Sequence, residues 1–313
     1  MTYKKDMSEK KLQNQASDIV PEKLILRATP KAAHPYLMLM RLDRPNGSWL
    51  LMTPSWWSIA LASGDKWPDL VLLILFTLGS FIMRGAGCVI NDIVDRDFDG
   101  EVARTKNRPI PSGMVSVKQA IAFACFLCLL GLLILVQFNH FAIGVGILSL
   151  VTVLIYPFMK RFTYWPQFFL GISINWGALL GWAAVRGDLG MVPGLLYLGG
   201  VFWTLGYDTI YGHQDKEDDA RVGIKSAALR LAEATVGWLV FFYIGAVALF
   251  ATVGWLANLS VYFYPALAIA SLHLVWQVAT VDIDNPKNCL FRFSSNRDFG
   301  LLLFVAIVIG KVF

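Results

Sequence analysis

The chain has 313 residues, of which 56% are hydrophobic and 16% charged, with a formal net charge of +5 and a mean hydropathy of +0.56. Soluble domains carry roughly a quarter charged residues, so a water-soluble enzyme or a nucleic-acid-binding domain is excluded and a polytopic protein of the lipid bilayer is expected. Cys88, Cys125, Cys128 and Cys289 fall in or beside apolar runs without a metal-ligand pattern, and read as small buried hydrophobes.

Residues 1–46 hold nine Lys/Arg together with Asp6, Glu9, Asp18 and Glu22, and no apolar stretch. That composition fits neither a secretory signal nor an acid-poor transit peptide, so a polar basic arm is expected, followed by a single transmembrane domain over 47–313. Nine apolar segments follow, at about 48–64, 69–90, 117–138, 140–158, 167–185, 191–211, 234–256, 258–280 and 298–313. Each approaches the length that a hydrocarbon core of about 30 Å demands. The expected fold is therefore an all-α integral membrane bundle of nine transmembrane helices. The charged stretch Asp282–Arg297 is expected to be a solvated connector. Twenty-three Lys/Arg flank alternate segments starting with the N-terminus, whereas the opposite loops hold only Lys66 and Arg186. Basic residues mark the inner side, so the N-terminus and the aspartate-rich loops are expected on the cytoplasmic face.

Two such segments interrupt the apolar pattern, Asn91–Asp99 (NDIVDRDFD) and Asp208–Asp219 (DTIYGHQDKEDD). On a helix, Asn91 and Asp95 stand at i,i+4, Asp92 and Asp99 at i,i+7, and Asp215 and Asp219 at i,i+4. Like charges sharing a face repel unless cations gather them. Oxygen-only ligand sets with spare coordination positions suit Mg2+ carrying a phosphorylated substrate. Arg104, Lys106 and Arg108 follow the first segment, Lys225 follows the second, and Lys160 and Arg161 lie on a third loop. These six are candidates for the remaining phosphate charge, with positive-inside anchoring as the alternative for each. Phosphate at the membrane edge with apolar helices around it points to a lipid diphosphate, whose carbon–oxygen bond ionises when a metal polarises the leaving group.

These motifs and their flanks resemble the UbiA-type intramembrane aromatic prenyltransferases. NDIVDRDFD followed by RTKNRPIPSG matches that family's first aspartate motif, and YDTIYGHQDKEDDARVGIKS matches its second. The segments RLDRPNGSWLLMTPSWWSIAL and YPFMKRFTYWPQFFLG are similar to the branch acting on 4-hydroxybenzoate. The resemblance, from about Arg41 to Phe299, implies a helical bundle that uses Mg2+ to join a polyprenyl diphosphate to the aromatic ring of 4-hydroxybenzoate in ubiquinone formation. It implies Asn91 and Asp95 as metal positions with Asp92 and Asp99 beside them, and Asp215 and Asp219 as the second pair. Asp95 and Asp208 are the catalytic candidates; Asp208 either orients and deprotonates the phenol or completes the metal shell. Asp97, Glu217 and Asp218 fall off the shared faces and are expected to be solvated. Arg44 is the candidate for the acceptor carboxylate, since a planar guanidinium suits a benzoate. A snorkelling interfacial role is its alternative, Asn46 is a neighbouring candidate, and Arg84 could substitute. Tyr156, Tyr207 and Tyr211 could line a carbocation path, and His213 could shuttle a proton.

Two other classes fit the sequence less well. The DGxxAR start of membrane CDP-alcohol phosphotransferases occurs at Asp99–Arg104, but Val117 and Ile121 stand where that motif needs aspartates. An ion-coupled transporter would place its acids near the bilayer midplane, not at one edge. Within the resemblance, homogentisate, naphthoate or haem remain alternative acceptors. The expected location is a bacterial inner membrane, with the mitochondrial inner membrane as alternative.

Overall fold

A computed structural model describes residues 24–64, 67–101 and 105–313, the side chains of Leu24, Asp218 and Val222 excepted. Every regular element among the described residues is helical. Hydrocarbon offers no water to backbone N–H and C=O groups, so so apolar a chain closes its hydrogen bonds within helices. Among the described residues, seven helical stretches are long and apolar enough to cross a bilayer: Leu70–Asp99, Val117–Leu135, His140–Phe162, Pro166–Arg186, Ala227–Leu256, Phe263–Thr280 and Pro286–Val312.

Two other expected spans are helices outside that set. Asn46–Ala62 has 17 residues, about 25 Å of rise. Met191–Gly212 carries five glycines along with Tyr, Thr and Asp, and is buried along much of its length. Small residues there admit neighbouring side chains: a Cβ at Gly199 would stand 2.6 Å from the Phe250 ring. A helix surrounded by protein has less need of lipid-compatible side chains, which is why its hydropathy is lower.

The described residues divide into two compact units, those within 1–47 with 81–132, and those within 48–80 with 133–313. In the first, the helix His34–Leu39 packs with the 81–99 and 117–132 stretches around Leu39, Ala86, Val89, Ile110, Val115, Ala124 and Leu127. Tyr36 meets Phe123 edge-on at 5.0 Å between ring centroids. Residues 34–44 are thus folded into this unit. Arg41 turns the chain there in a left-handed conformation, φ 59°.

The second unit is built on aromatic packing. Trp57 is fully buried, donates from Nε1 to the Gly300 carbonyl at 2.8 Å, and lies against Trp203 and Phe250. Three departures from the expected spans have physical causes. The 167–185 segment is two helices, Pro166–Ile174 and Gly177–Arg186. At the break, fully buried Asn175 donates to the Gly171 carbonyl at 2.9 Å and to Thr204 Oγ1 at 2.7 Å. The last helix begins at Pro286 rather than 298, capped by Asn285 accepting from the amides of Lys287 and Asn288. Its polar residues are not those of a connector: Asn296 is fully buried and accepts from Trp203 Nε1 at 2.8 Å. Finally, the helix expected to end near residue 90 continues to Asp99.

Candidate active site

The first aspartate segment is therefore the end of a helix and not a loop, so its residue spacing is realised in space. Asn91 Nδ2 donates to Asp95 Oδ2 at 2.9 Å, which leaves Asn91 Oδ1 as an oxygen donor beside a carboxylate only 3% exposed. Asp97, by contrast, turns outward, its side chain 81% exposed. Asp92 is wholly buried, and its Oδ1 accepts from Arg41 Nη2 at 2.5 Å and Arg108 Nη1 at 3.2 Å. Its other oxygen, Oδ2, is buried without a hydrogen-bond partner among the described residues. Asp99 Oδ2 accepts from the same Arg108 nitrogen at 2.9 Å.

Arg108, expected on the diphosphate, is thus engaged by two carboxylates of the expected metal set. Carboxylates this buried require a charged, hydrogen-bonded partner, and Arg108 returns to supply one. Buried Thr105 fastens that return by donating to the Asp99 carbonyl at 2.9 Å. Lys106 is exposed. Arg104 lies outside the described residues, as does Lys66.

Arg44 Nη1 donates to Asp43 Oδ2 at 2.5 Å, and Asp43 is fully buried. The guanidinium thus already holds one carboxylate, the group expected on the acceptor. Arg84 lies against the backbone of Gly47, where a Cβ would stand 2.6 Å from its Nε. Asn46 is the first residue of its helix and half-buried. Sequence reasoning missed Arg41 and Asp43 as participants. Both belong to a run, RLDR, in which an acid between two arginines at a membrane edge offered a readable sign of paired charges.

In the second unit, Asp208 is half-buried on the helix Met191–Gly212. The helix ends in a turn at 213–215, and Asp215 opens the short helix Lys216–Val222. Asp208 and Asp215 consequently do not share one continuous helical face, contrary to their spacing of seven. Asp215 and Asp219 keep theirs, joined by an amide-to-carbonyl bond of 2.9 Å. Glu217 is exposed, and the Asp218 side chain lies outside the described ones. Lys216 pairs with Asp284 and donates to the Ile283 carbonyl at 3.3 Å. That contact holds the Asp284 carboxyl below its ordinary range. A cleft of about 290 Å³ is lined by His213, Gln214, Asp215, Lys216, Glu217 and Asp284. His213 shares a 2.9 Å hydrogen bond with Thr235 Oγ1, and burial, reinforced by Lys216, pushes its pKa down to about 4. It is neutral at pH 7.

The backbone segments that carry three expected phosphate-binding cations meet in this unit. The Lys225 amide donates to the Lys160 carbonyl at 2.9 Å, next to Arg161, and Lys225 Nζ lies 5.6 Å from the Tyr164 ring centroid. Tyr207 is buried in the core against Trp203 and Phe293, with Thr204 Oγ1 donating to its hydroxyl at 3.1 Å. Tyr211 lies on Phe293 and Tyr156 is half-buried.

Among the described residues no three His, Cys, Asp or Glu side chains converge in the manner of a closed metal cage. Mg2+ uses one or two carboxylates plus substrate phosphates and water, and the oxygen donors of Asn91 and Asp95, with the orphaned Asp92 Oδ2, suit that demand.

A sequence profile of the UbiA prenyltransferase family matches residues 51–307. The chain belongs to that family. It is 48% identical over 299 residues, covering 95% of this chain and 76% of the relative, to a protein of Drosophila melanogaster named 4-hydroxybenzoate polyprenyltransferase, mitochondrial. The apo structure of a UbiA homolog from Aeropyrum pernix K1 superimposes with a TM-score of 0.70 at 24% identity, covering 85% of this chain and 97% of that one. A UbiA homolog from Archaeoglobus fulgidus, solved bound to GPP and Mg2+, has a TM-score of 0.63 at 17% identity, over 89% of this chain and 99% of that one. Both likenesses establish the fold.

Proposed function

We propose that this membrane enzyme transfers a polyprenyl group from polyprenyl diphosphate to 4-hydroxybenzoate, a step of ubiquinone formation. The observation that carries this reading is 48% identity across 95% of the chain to an enzyme named for that reaction. The transfer breaks the bond between prenyl C1 and the diphosphate oxygen, forms a bond from C1 to the ring carbon meta to the carboxylate, and releases the proton of that carbon.

Asn91, Asp95, Asp215 and Asp219 are assigned as Mg2+ ligands; the Archaeoglobus protein's complex with GPP and Mg2+ supports the requirement. Bound Mg2+ supplies positive charge to the leaving diphosphate. Asp92 and Asp99 are assigned beside those ligands; fastened by Arg41 and Arg108, they hold the end of the first motif in register, and Asp92 keeps its Oδ2 as a further oxygen donor for the metal. Lys106, Lys160, Arg161 and Lys225 are assigned to the phosphate charge, and Arg104 to the same role from sequence alone. Asp208 is assigned to the phenol, which it orients or deprotonates, and Asn46 to the acceptor's surroundings. Arg44 binds the acceptor carboxylate by sharing its guanidinium with, or exchanging it from, Asp43.

Orientation follows the basic residues, with the N-terminus and both motifs on the inner face and nine helices crossing. The Drosophila relative's mitochondrial name favours a mitochondrial inner membrane. The bacterial membrane expected from the N-terminal segment gains no support from it.

Purified protein incubated with Mg2+, a polyprenyl diphosphate and a panel of aromatic acids should yield prenylated 4-hydroxybenzoate by mass. A product formed only from homogentisate or a naphthoate overturns the acceptor assignment. Arg44→Ala should raise the KM for 4-hydroxybenzoate about 10- to 100-fold, the range for hydrogen bonds to a charged group. The KM for the prenyl donor should stay within about 3-fold; equal effects on both would remove Arg44 from the acceptor.

A further inference from the structure

The helices Phe263–Thr280 and Pro286–Val312 of the second unit hold a cation that the prenyl transfer does not use. Arg292 is 8% exposed, yet its Nε and Nη1 have no hydrogen-bond partner among the described residues, and no carboxylate lies within ion-pair distance of it there. Its contacts with protein are a 3.3 Å bond from Nη2 to the Thr280 carbonyl and a guanidinium 3.9 Å from the Trp276 ring centroid and 5.2 Å from that of Phe291. The carbonyl is shared, since Asn288 Nδ2 also donates to it at 3.2 Å. A buried guanidinium with two unused donors is costly, and in a membrane protein such a group marks a binding site until a partner is found.

What surrounds Arg292 identifies the partner's other half. Ile269, Leu272, Val275, Trp276, Leu290 and Phe291 all present exposed apolar side chains on these two helices. Helix Pro286–Val312 has 27 residues, about 40 Å of rise, or some 10 Å more than a hydrocarbon core of about 30 Å. Arg292 stands six residues from its start, a distance of about 9 Å. Trp276 lies four residues from the end of the neighbouring helix. Both therefore reach the depth of lipid headgroups, where tryptophan concentrates and where basic pockets between helices take phosphate.

We propose that Arg292, backed by Trp276, binds the phosphodiester of an anionic phospholipid whose acyl chains lie along Leu272, Val275 and Phe291. Nε and Nη1 are closed to solvent as the side chains stand, so the guanidinium turns outward past the Phe291 ring for one phosphate oxygen pair to satisfy them, while the aromatic faces keep water from the ion pair. Neutral phosphatidylcholine offers the same phosphate with a compensating cation, so the site discriminates by net charge.

The test uses the full chain in nanodiscs of phosphatidylcholine with a minor fraction of phosphatidylglycerol, extracted gently and weighed by native mass spectrometry. Wild-type protein should retain phosphatidylglycerol about tenfold over its share of the bilayer, and Arg292→Gln should lose that enrichment, as expected for hydrogen bonds to a charged group. Arg292→Lys should keep part of it, and Trp276→Leu should weaken it with the charge intact. Wild-type retention of both lipids in proportion to the bilayer, or enrichment unchanged in Arg292→Gln, overturns the proposal. So does a shift in oligomeric state in Arg292→Gln without change in bound lipid, which would make the site a contact between copies of the chain. Inorganic phosphate at millimolar concentration should not displace the lipid; displacement would make the site one for free phosphate. A thermal melt of each variant separates misfolding from lipid loss, and if Arg292→Gln fails to fold, Arg292→Lys and Trp276→Leu decide.

Discussion

Asp95→Ala should lower prenyl transfer by at least about 10²- to 10³-fold, the loss that follows removal of one preorganised electrostatic group from a reacting centre, with the thermal unfolding of the protein little changed. Asp95 is nearly buried at the end of a helix, where Asn91 orients its carboxylate and presents a second oxygen beside it. Taking away that carboxylate removes negative charge from a face crowded with it, so the fold should tolerate the change. The Mg2+ concentration needed for half-maximal residual activity should rise. Asp97→Ala, four-fifths exposed two residues away, should remain within about 2-fold of wild type by the same assay. Equal, small effects from both substitutions would dismiss Asp95 as a ligand.

Arg108→Ala should act through stability. Its guanidinium sits between Asp92 and Asp99, both of them buried. Removing one member of a buried ion pair costs about 3–5 kcal/mol because the remaining charge has no counterpart. A marked fall in unfolding temperature is expected, and Asp92→Asn in the same chain should restore part of it by removing the stranded charge. Arg41 softens the loss, since it also donates to Asp92 Oδ1. Unchanged unfolding with a raised KM for the prenyl donor would instead return Arg108 to the phosphate.

The distinction between those outcomes shows where reading residues in order stops. Apolar runs, basic flanks and the two aspartate segments were all legible, because hydropathy and helical spacing are local properties. Helical continuity through Asn91–Asp99 was legible in the i,i+4 spacing, although hydropathy alone placed the boundary near residue 90. The partnership of Arg108 with Asp92 was not, since both anchoring and phosphate binding call for the same residue type. The break at Asn175 was hidden for a different reason. One asparagine in an apolar run barely alters hydropathy, and its two hydrogen bonds depend on Thr204 arriving from another helix. The early start of the last helix was concealed by polar residues whose partners, such as Trp203 for Asn296, are remote in sequence.

Because Asn91–Asp99 is carried on a helix rather than a loop, length in this region is under a constraint that composition is not. Adding or deleting one residue between Gly85 and Ile90 would swing every side chain of the motif by about 100° and move it by about 1.5 Å. A loop would absorb the same change by rearranging its turns. Conservative exchanges of apolar residues in this stretch leave the motif where it is. Among variants of this chain, conservative apolar exchanges between residues 81 and 90 should therefore be met more often than insertions or deletions there, which should be purged.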